Sequence, residues 1–586
     1  MEDHSGSEPN VDQTAPPKSA TSHWRHWHHF KDWYANNKKK SIPLTIAVVV
    51  LLLFVVPYTR YKICGLFLKQ DYTVQVSDSV ANTPVSGAEV TAAGVSAITN
   101  GNGNATLHVK VGEHNFTITK KYYKDTTVSE LVPILNQKST PKINLTATGR
   151  QALIKITNLV SGKALADATI KVAGTTSKTA SDGTATVVLP ATAPTQKGTI
   201  ELDGYNKADI SVKISDQKIE ENDFKLTPAG KIYFLSKLSG KIDVVKTNLD
   251  GSDRQTVLAG TGNEEDQNTV LLASRDWKYL ALLSRRAGSF ATLYLIDTSN
   301  DQLSTIDEGS ASFNMVGWSG NTFVYSLTRA NVQNWQPHQH ALKSFNATNK
   351  QLITLDQTGG QGTDNYNYSQ ESYGSIYILQ NTIVYDKSWS NYYAYLNGDP
   401  VSGKIFSGIY SINQDGSNHQ TLKTFNNTLG WYTTINSIPN KATEIYYEVI
   451  DAYQQSINNN GTSYYSYQNG KLSNENDLSD DFNNYNQQSS TYLYSPSGNE
   501  TFWAEPRDGK NTLFIGDENG LNGKQIATLS EYNPYGWYTD NYLLVQKDND
   551  ELYVMAKDGK EPVVKISDYH KPAQNFYGYG GGYGGL

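Results

Sequence analysis

The sequence predicts an all-β body, two small β-sandwiches followed by a roughly seven-bladed β-propeller, on a single N-terminal transmembrane helix. Three observations predict it: an uncharged apolar run over residues 44–56, a long repeat within residues 71–226, and a strand–turn–strand repeat from residue 230 onward. The implied organisation is a tail (1–40), an anchor (41–68), two sandwich modules (71–148 and 151–227) and a propeller (228–586).

The anchor reads LTIAVVVLLLFVV from Leu44 to Val56. Each central Leu, Ile, Val or Phe favours insertion by roughly 0.3–0.6 kcal/mol, so the run sums to about −4 to −6 kcal/mol. It is short for the roughly 17–25 residues that span a bilayer, and Ile63–Leu68 extend it while Arg60 and Lys62 snorkel. Ser41 is an expected N-cap and Pro43 falls in the first turn, where a missing N–H costs little. Arg25, Lys31, Lys38, Lys39 and Lys40 precede the run; Arg60, Lys62 and Lys69 follow it. The denser basic cluster places the N-terminus in the cytoplasm and the body outside. A cleaved signal peptide fits less well, because the preceding region is long and no small-x-small site follows.

Cys64 is the only cysteine, so no intramolecular disulfide can form. A large extracytoplasmic body without disulfides points to a bacterial envelope. Tyr61-Lys62-Ile63 before Cys64 is not the small, apolar pattern of a lipidation site. A net charge of −7 argues against a nucleic-acid partner. In the tail, residues 1–22 are polar and expected to be disordered. Trp24, Trp27, Phe30 and Tyr34 form a helical stripe suited to the headgroup layer, and His23, His26, His28 and His29 offer an alternative metal-binding reading.

From Asp71 the pattern becomes short alternating runs broken by Gly, Asn and Asp, the mark of strands and tight turns. PVSGAEVTAAG (84–94) aligns with ALADATIKVAG (164–174), TNGNGNATLHV (99–109) with TASDGTATVVL (179–189), and KKYYKDTTV (120–128) with LDGYNKADISV (202–212). Asn102-Gly103 and Asp182-Gly183 supply the positive φ of a hairpin turn. These motifs, with Gly204-Tyr205 near the end of the second copy and Tyr122-Tyr123 in the first, resemble the carboxypeptidase-regulatory-like family. That resemblance implies transthyretin-like sandwiches serving as spacers or adhesion units, with no catalytic residues.

The second repeat appears as DVVKTNLDGSDRQTVL (243–258), LYLIDTSNDQLSTI (293–306), LKSFNATNKQLITL (342–355) and IYSINQDGSNHQTLK (409–423), then in three further copies up to residue 566. Most are preceded by another hairpin, such as FNMVGWSGNTFVYSL (313–327), and two hairpins per unit describe a four-stranded blade. The first unit, from Lys231, lacks the inner strand. Phe576-Tyr577-Gly578-Tyr579 resembles the inner-strand stretch Pro534-Tyr535-Gly536-Trp537, so residues 575–580 are expected to complete the first blade and close the ring. The entry turns Trp318-Ser319-Gly320, Ser495-Pro496-Ser497-Gly498 and Trp537-Tyr538-Thr539-Asp540, and the exits Asp250-Gly251, Asp415-Gly416 and Asp558-Gly559, resemble the TolB-like propeller group. The resemblance implies the fold and leaves the activity open.

No nucleophile elbow, H-E-x-x-H or phosphate loop occurs. No cofactor is expected. Ca²⁺ at Glu264-Glu265-Asp266 or Asp477–Asp481 is the minor alternative, as is a metal at His338 and His340, two residues apart on a strand. The informative stretches are inserts in blades 4 and 5 that mix aromatics with amides and hydroxyls, a combination that stacks on apolar faces and hydrogen-bonds polar ones. The candidate binding face is Tyr366, Tyr368, Tyr373, Trp389, Tyr392, Tyr393, Tyr395, Tyr453, Tyr464, Tyr465 and Tyr467. The expected function is a non-enzymatic propeller on a sandwich stalk, anchored in the membrane and binding an envelope protein or glycan, as in adhesion. The alternatives are a glycan-active hydrolase or lyase using funnel carboxylates, and an envelope scaffold or sensor.

Overall fold

The computed structural model describes residues 31–55, 57–365, 367–391, 406–426, 433–441, 443–475, 493–528, 531–547, 551–559 and 564–567. Among them no helix is long and apolar enough to cross a membrane. The expected anchor over 41–68 is instead two helices, Lys38–Val55 and Pro57–Phe67, and Val56 lies outside the described residues. Three lysines open the first helix, and Pro57 begins the second. Ser41 is not a cap: it sits inside the helix and its hydroxyl donates to the Tyr34 carbonyl. Ile42, Leu44, Ile46, Val48 and Val49 of the first helix are exposed.

Contacts divide the chain into two compact units, residues 1–155, 166–198 and 211–222 in one and 156–165, 199–210 and 223–586 in the other. The division runs through the second repeat. In the first copy, strands Asn104–Lys110, Lys69–Asp78 and Lys142–Leu145 form one sheet, and Val95–Ile98, Glu89–Ala92, Gly112–Thr119 and Thr126–Val132 the other. Val74 and Val76 of one sheet share a core with Val90, Phe116 and Ile118 of the other. The second copy repeats this order strand for strand: Thr184–Leu189, Arg150–Asn158, Glu220–Leu226, then Thr175–Lys178, Thr169–Val172, Thr195–Glu201, Ala208–Lys213.

Within the first unit the copies are mated directly. The Lys120 ammonium donates to the carbonyls of Ser86 and Thr176 (2.9 Å) and to Ser177 Oγ (3.3 Å), and the Tyr122 hydroxyl donates to the Ala173 carbonyl (3.1 Å). Gly101 lies so close that a Cβ there would stand 1.9 Å from the Thr179 carbonyl oxygen.

Among the described residues the second unit holds seven consecutive antiparallel sheets and is a β-propeller. Blade 1 has three strands (Ile232–Ser236, Asp243–Thr247, Gln255–Leu258). Blade 4 has five (Gly360–Asp364, Asn367–Leu379, Thr382–Asn391, Phe406–Asn413, Gln420–Asn426). The others have four, beginning at Val270 (blade 2), Ala311 (blade 3), Thr433 (blade 5), Leu493 (blade 6) and Tyr532 (blade 7). Apolar clusters join neighbouring blades. Ile232–Leu235 of blade 1 pack with Leu271 and Leu280 of blade 2 and with Leu544 and Val554 of blade 7.

Buried indoles tie the inner strands together. Trp318 Nε1 donates to the Leu272 carbonyl (3.0 Å), linking blade 3 to blade 2, and Trp537 Nε1 donates to the Leu493 carbonyl (2.8 Å), linking blade 7 to blade 6. Trp277 Nε1 of blade 2 donates to the Trp537 carbonyl of blade 7 (2.8 Å). The expected closing strand near 575–580 lies outside the described residues. Two loops of the second repeat belong to this unit. Val160 enters the blade 1 core, and the buried Asn158 amide donates to the hydroxyls of Tyr205 (3.0 Å) and Tyr542 (2.6 Å).

Candidate functional face

In blades 4 and 5 the first two long strands meet at one end of the sheet, opposite the end at which the second strand finishes. Tyr368 stands near the start of Asn367–Leu379 and Trp389 near the end of Thr382–Asn391, which is the same end of blade 4, since Ser369 pairs with Asn391. Tyr453 lies in the helix Ala452–Asn458 that follows Glu444–Asp451, and Tyr464 opens Thr462–Gln468, with Ile450 paired to Thr462. The four half-buried rings therefore converge on one end of blades 4 and 5. Tyr366, Tyr392, Tyr393 and Tyr395 lie outside the described residues.

The rest of the expected face is corrected. Tyr465 and Tyr467 are buried in the core between blades 4 and 5. Strand alternation is the reason: Tyr464 points to one side of its sheet, and Tyr465 and Tyr467, two residues apart, both point to the other. Tyr373 points inward, its hydroxyl donating to Asp356 Oδ2 (2.9 Å). Burial pushes its phenol well above the usual range, and the Asp356 carboxylate adds to the rise.

Beneath Trp389 lies a buried ionic cluster that sequence reasoning missed. Lys387 Nζ sits 3.0 Å from Asp356 and 3.4 Å from Glu371, with all three side chains nearly sealed from solvent. The ammonium also lies 4.8 Å from the Tyr410 ring centroid, a cation–π contact. Burial raises the Glu371 pKa, and Lys387 and the Gly359 N–H (2.8 Å to Oε2) only partly offset it. For Lys387 burial pulls the other way but the two carboxylates outweigh it, so the ammonium stays protonated.

Glu371 pairs across the strands with Trp389, whose indole packs on Gly359; a Cβ there would stand 2.6 Å from the ring. A simpler form recurs one blade earlier, where Tyr325 (2.6 Å) and Lys343 (2.7 Å) both donate to Asp307 Oδ2. The signal in the sequence was the pair NTFVY (321–325) and NTIVY (381–385), each following a blade whose outer strand carries an Asp at or next to its end, Asp307 and Asp356. On blade 5, Glu448 accepts from the Tyr464 hydroxyl (3.2 Å) and from Asn436 Nδ2 (2.9 Å). Asp451 caps the helix that carries Tyr453, accepting from the Gln454 N–H (3.1 Å).

The two histidines do not share a strand face. His338 precedes the strand His340–Asn346 in a left-handed conformation (φ 67°). The His340 ring is held between Thr328 Oγ1 (2.8 Å) and Gln370 Nε2 (2.8 Å), and burial lowers its pKa. Glu264 accepts from the backbone of Thr261 and Gly262, Glu265 pairs with Arg285 (3.1 Å), and Asp266 pairs with Lys237. Among the described residues no three His, Cys, Asp or Glu side chains are grouped to hold a metal ion. Asp477–Asp481 lie outside the described residues.

No family model matches the chain, and no curated protein matches it. Solved structures that match are β-propeller proteins. The propeller domain of the trilobed protease from Pyrococcus furiosus is 14% identical, covering 60% of this chain and 93% of that one, with a TM-score of 0.32. Oligogalacturonate lyase from Vibrio parahaemolyticus is 8% identical over 60% of this chain and 88% of that one (TM-score 0.31). The TolB-like protein of Agrobacterium tumefaciens is 14% identical over 55% and 88% (TM-score 0.25). They include enzymes and a TolB-like protein.

Proposed function

We propose that the chain is a single-pass, N-in protein of a bacterial cell envelope whose propeller is a non-enzymatic binding module for an envelope protein or glycan. The observation that carries this reading is the convergence of Tyr368, Trp389, Tyr453 and Tyr464 at one end of blades 4 and 5. Rings presented on a stiff support lose little entropy on binding, which is how aromatic anchors come to dominate recognition. The Asp356–Lys387–Glu371 cluster is that support. Its charges are spent on one another, so it holds Trp389 in place and leaves the exposed chemistry to rings and amides. The uncharged run after Lys40 and its exposed apolar side chains support the anchor.

The test is binding of the detergent-solubilised full chain to arrays of envelope glycans and envelope proteins. Trp389→Ala combined with Tyr464→Ala is expected to weaken binding by roughly tenfold or more, the scale of losing an aromatic anchor. Tyr385→Phe, inside the core, is expected to leave it intact. Equal binding by the double variant refutes the face. Protease shaving of intact cells tests the topology, with peptides from beyond Lys69 expected in the released fraction.

A further inference from the structure

The opposite end of the propeller carries a cavity that the aromatic face does not use. Its volume is about 330 Å³, and it is lined by the inner turns of four blades: Arg275 and Asp276, Gly320 and Asn321, Gln380 and Asn381, and Tyr494 with Pro496, Ser497 and Gly498. The volume lies at the lower end of small-molecule sites. Asn381 and Trp389 are eight residues apart on one strand, so roughly 26 Å separates this mouth from the aromatic face.

The turns are braced from behind. The Asn321 carbonyl accepts from Ala347 N (2.9 Å), the Asn381 carbonyl from Gln414 N (3.1 Å), and Asp540 Oδ1 from Ser497 N (3.0 Å). Gln380 holds a left-handed conformation (φ 55°), as Gly320 does at the corresponding turn (φ 56°). Asn321, Gln380, Asn381 and Ser497 are exposed there.

The lining holds one charge of each sign. The Arg275 guanidinium stacks on the Tyr494 ring at 4.3 Å. The Asp276 carboxylate is bound by Ser274 Oγ (2.9 Å) and Lys278 Nζ (2.6 Å). The Asn321 amide also donates to Thr348 Oγ1 (3.2 Å) and the Ser497 hydroxyl meets Ser495 Oγ (3.2 Å), so the amides of Gln380 and Asn381 are the chief polar groups of the lining. An amide offers a donor beside an acceptor, which matches adjacent hydroxyls, and the half-buried Pro496 gives a small apolar contact for a C–H face.

We propose that this mouth is a second binding site, for an uncharged polyhydroxylated ligand of one or two sugar residues. The site is independent of the aromatic face, so each serves as the control for the other. The experiment titrates the full chain, in a zwitterionic detergent without a sugar headgroup, with glucose, N-acetylglucosamine and maltose. Glutamate and lysine amide are the charged comparators, and binding is read by calorimetry and saturation-transfer NMR.

Saturable binding of at least one sugar is expected, weakened roughly tenfold, or about 1.4 kcal/mol, in Asn381→Ala/Gln380→Gly, and unchanged in Tyr464→Ala. Asn321→Asp, which adds a charge and spares the turn, is a second variant with the same expected loss. The proposal is overturned if none of the three sugars binds saturably, if a charged comparator binds in their place, or if sugar binding survives both mouth variants.

Discussion

Asp386→Asn is the sharpest perturbation the propeller offers. Asp386 is wholly buried; Oδ1 accepts from Ser375 N (3.0 Å), while Oδ2 has no hydrogen-bond partner. The Gly374 backbone closes over it, so that a Cβ there would stand 1.9 Å from Oδ2. Tyr447 of blade 5 is equally buried, its hydroxyl also has no partner, and the two groups are close enough to interact electrostatically. Burial pushes the Asp386 pKa up to about 8, against two backbone hydrogen bonds that lower it. The folded state then binds one more proton than the unfolded state between the ordinary carboxyl range and pH 8. Stability falls as pH rises through that window and levels off above it. At about 1.4 kcal/mol per unit, the span of roughly four units is worth on the order of 5 kcal/mol as an upper bound.

Asparagine keeps the shape and carries no charge at any pH. In urea denaturation followed by tryptophan emission, the variant is expected to lie within about 1 kcal/mol of the parent near pH 4, where both groups are neutral. By pH 8 it is expected to exceed the parent by a few kcal/mol, a large share of a typical folding stability. Parallel stability curves for the two proteins from pH 4 to pH 9 would refute the reasoning, as would a parent more stable than the variant at pH 8.

Three further outcomes are expected. Trp277→Phe leaves the Trp537 carbonyl buried without its donor and should cost about 1–3 kcal/mol in urea midpoint analysis, with Trp318→Phe as the matching deletion elsewhere in the ring. Lys387→Met strands Asp356 and Glu371, and should cost about 3–5 kcal/mol at pH 7, with partial recovery near pH 4 as the carboxyls take up protons. Burial lowers the Lys120 pKa to about 8, so stability of the sandwich unit should rise with pH from 8 toward the ordinary lysine value; Lys120→Met should abolish that slope in thermal melts taken across the range.

The repeats were legible because their turns are chemically constrained. Asn102-Gly103 and Asp182-Gly183 close equivalent hairpins with glycine at φ 76° in both, and the strand order around them repeats without exception. The blades were legible for the same reason, and among the described residues blade 1 has three strands. What local sequence hides is partnership over distance. Nothing near Asp356 announces Lys387, and nothing near Asn158 announces Tyr542, because those pairs are made by the way successive sheets stack. A module boundary placed near 227 by composition therefore missed that loops 156–165 and 199–210 fold with the propeller.

The aromatic inserts show the same limit at the scale of a single strand. Tyrosine is equally at home in a core and on a binding surface, so a Tyr-rich segment identifies neither. Register decides: Tyr464 pairs with Glu448 and sends its hydroxyl to that carboxylate, while its neighbour Tyr465 pairs with Tyr447 and is sealed in the core. Glu371 and its cross-strand partner Trp389 share one side of their sheet, the carboxylate buried and the indole half-buried. Blades 4 and 5 are thus rich in tyrosine for two reasons at once. One set, Tyr465 and Tyr467 among it, fills the space between the sheets, and the other, with Tyr464, stands half-buried at one end of them.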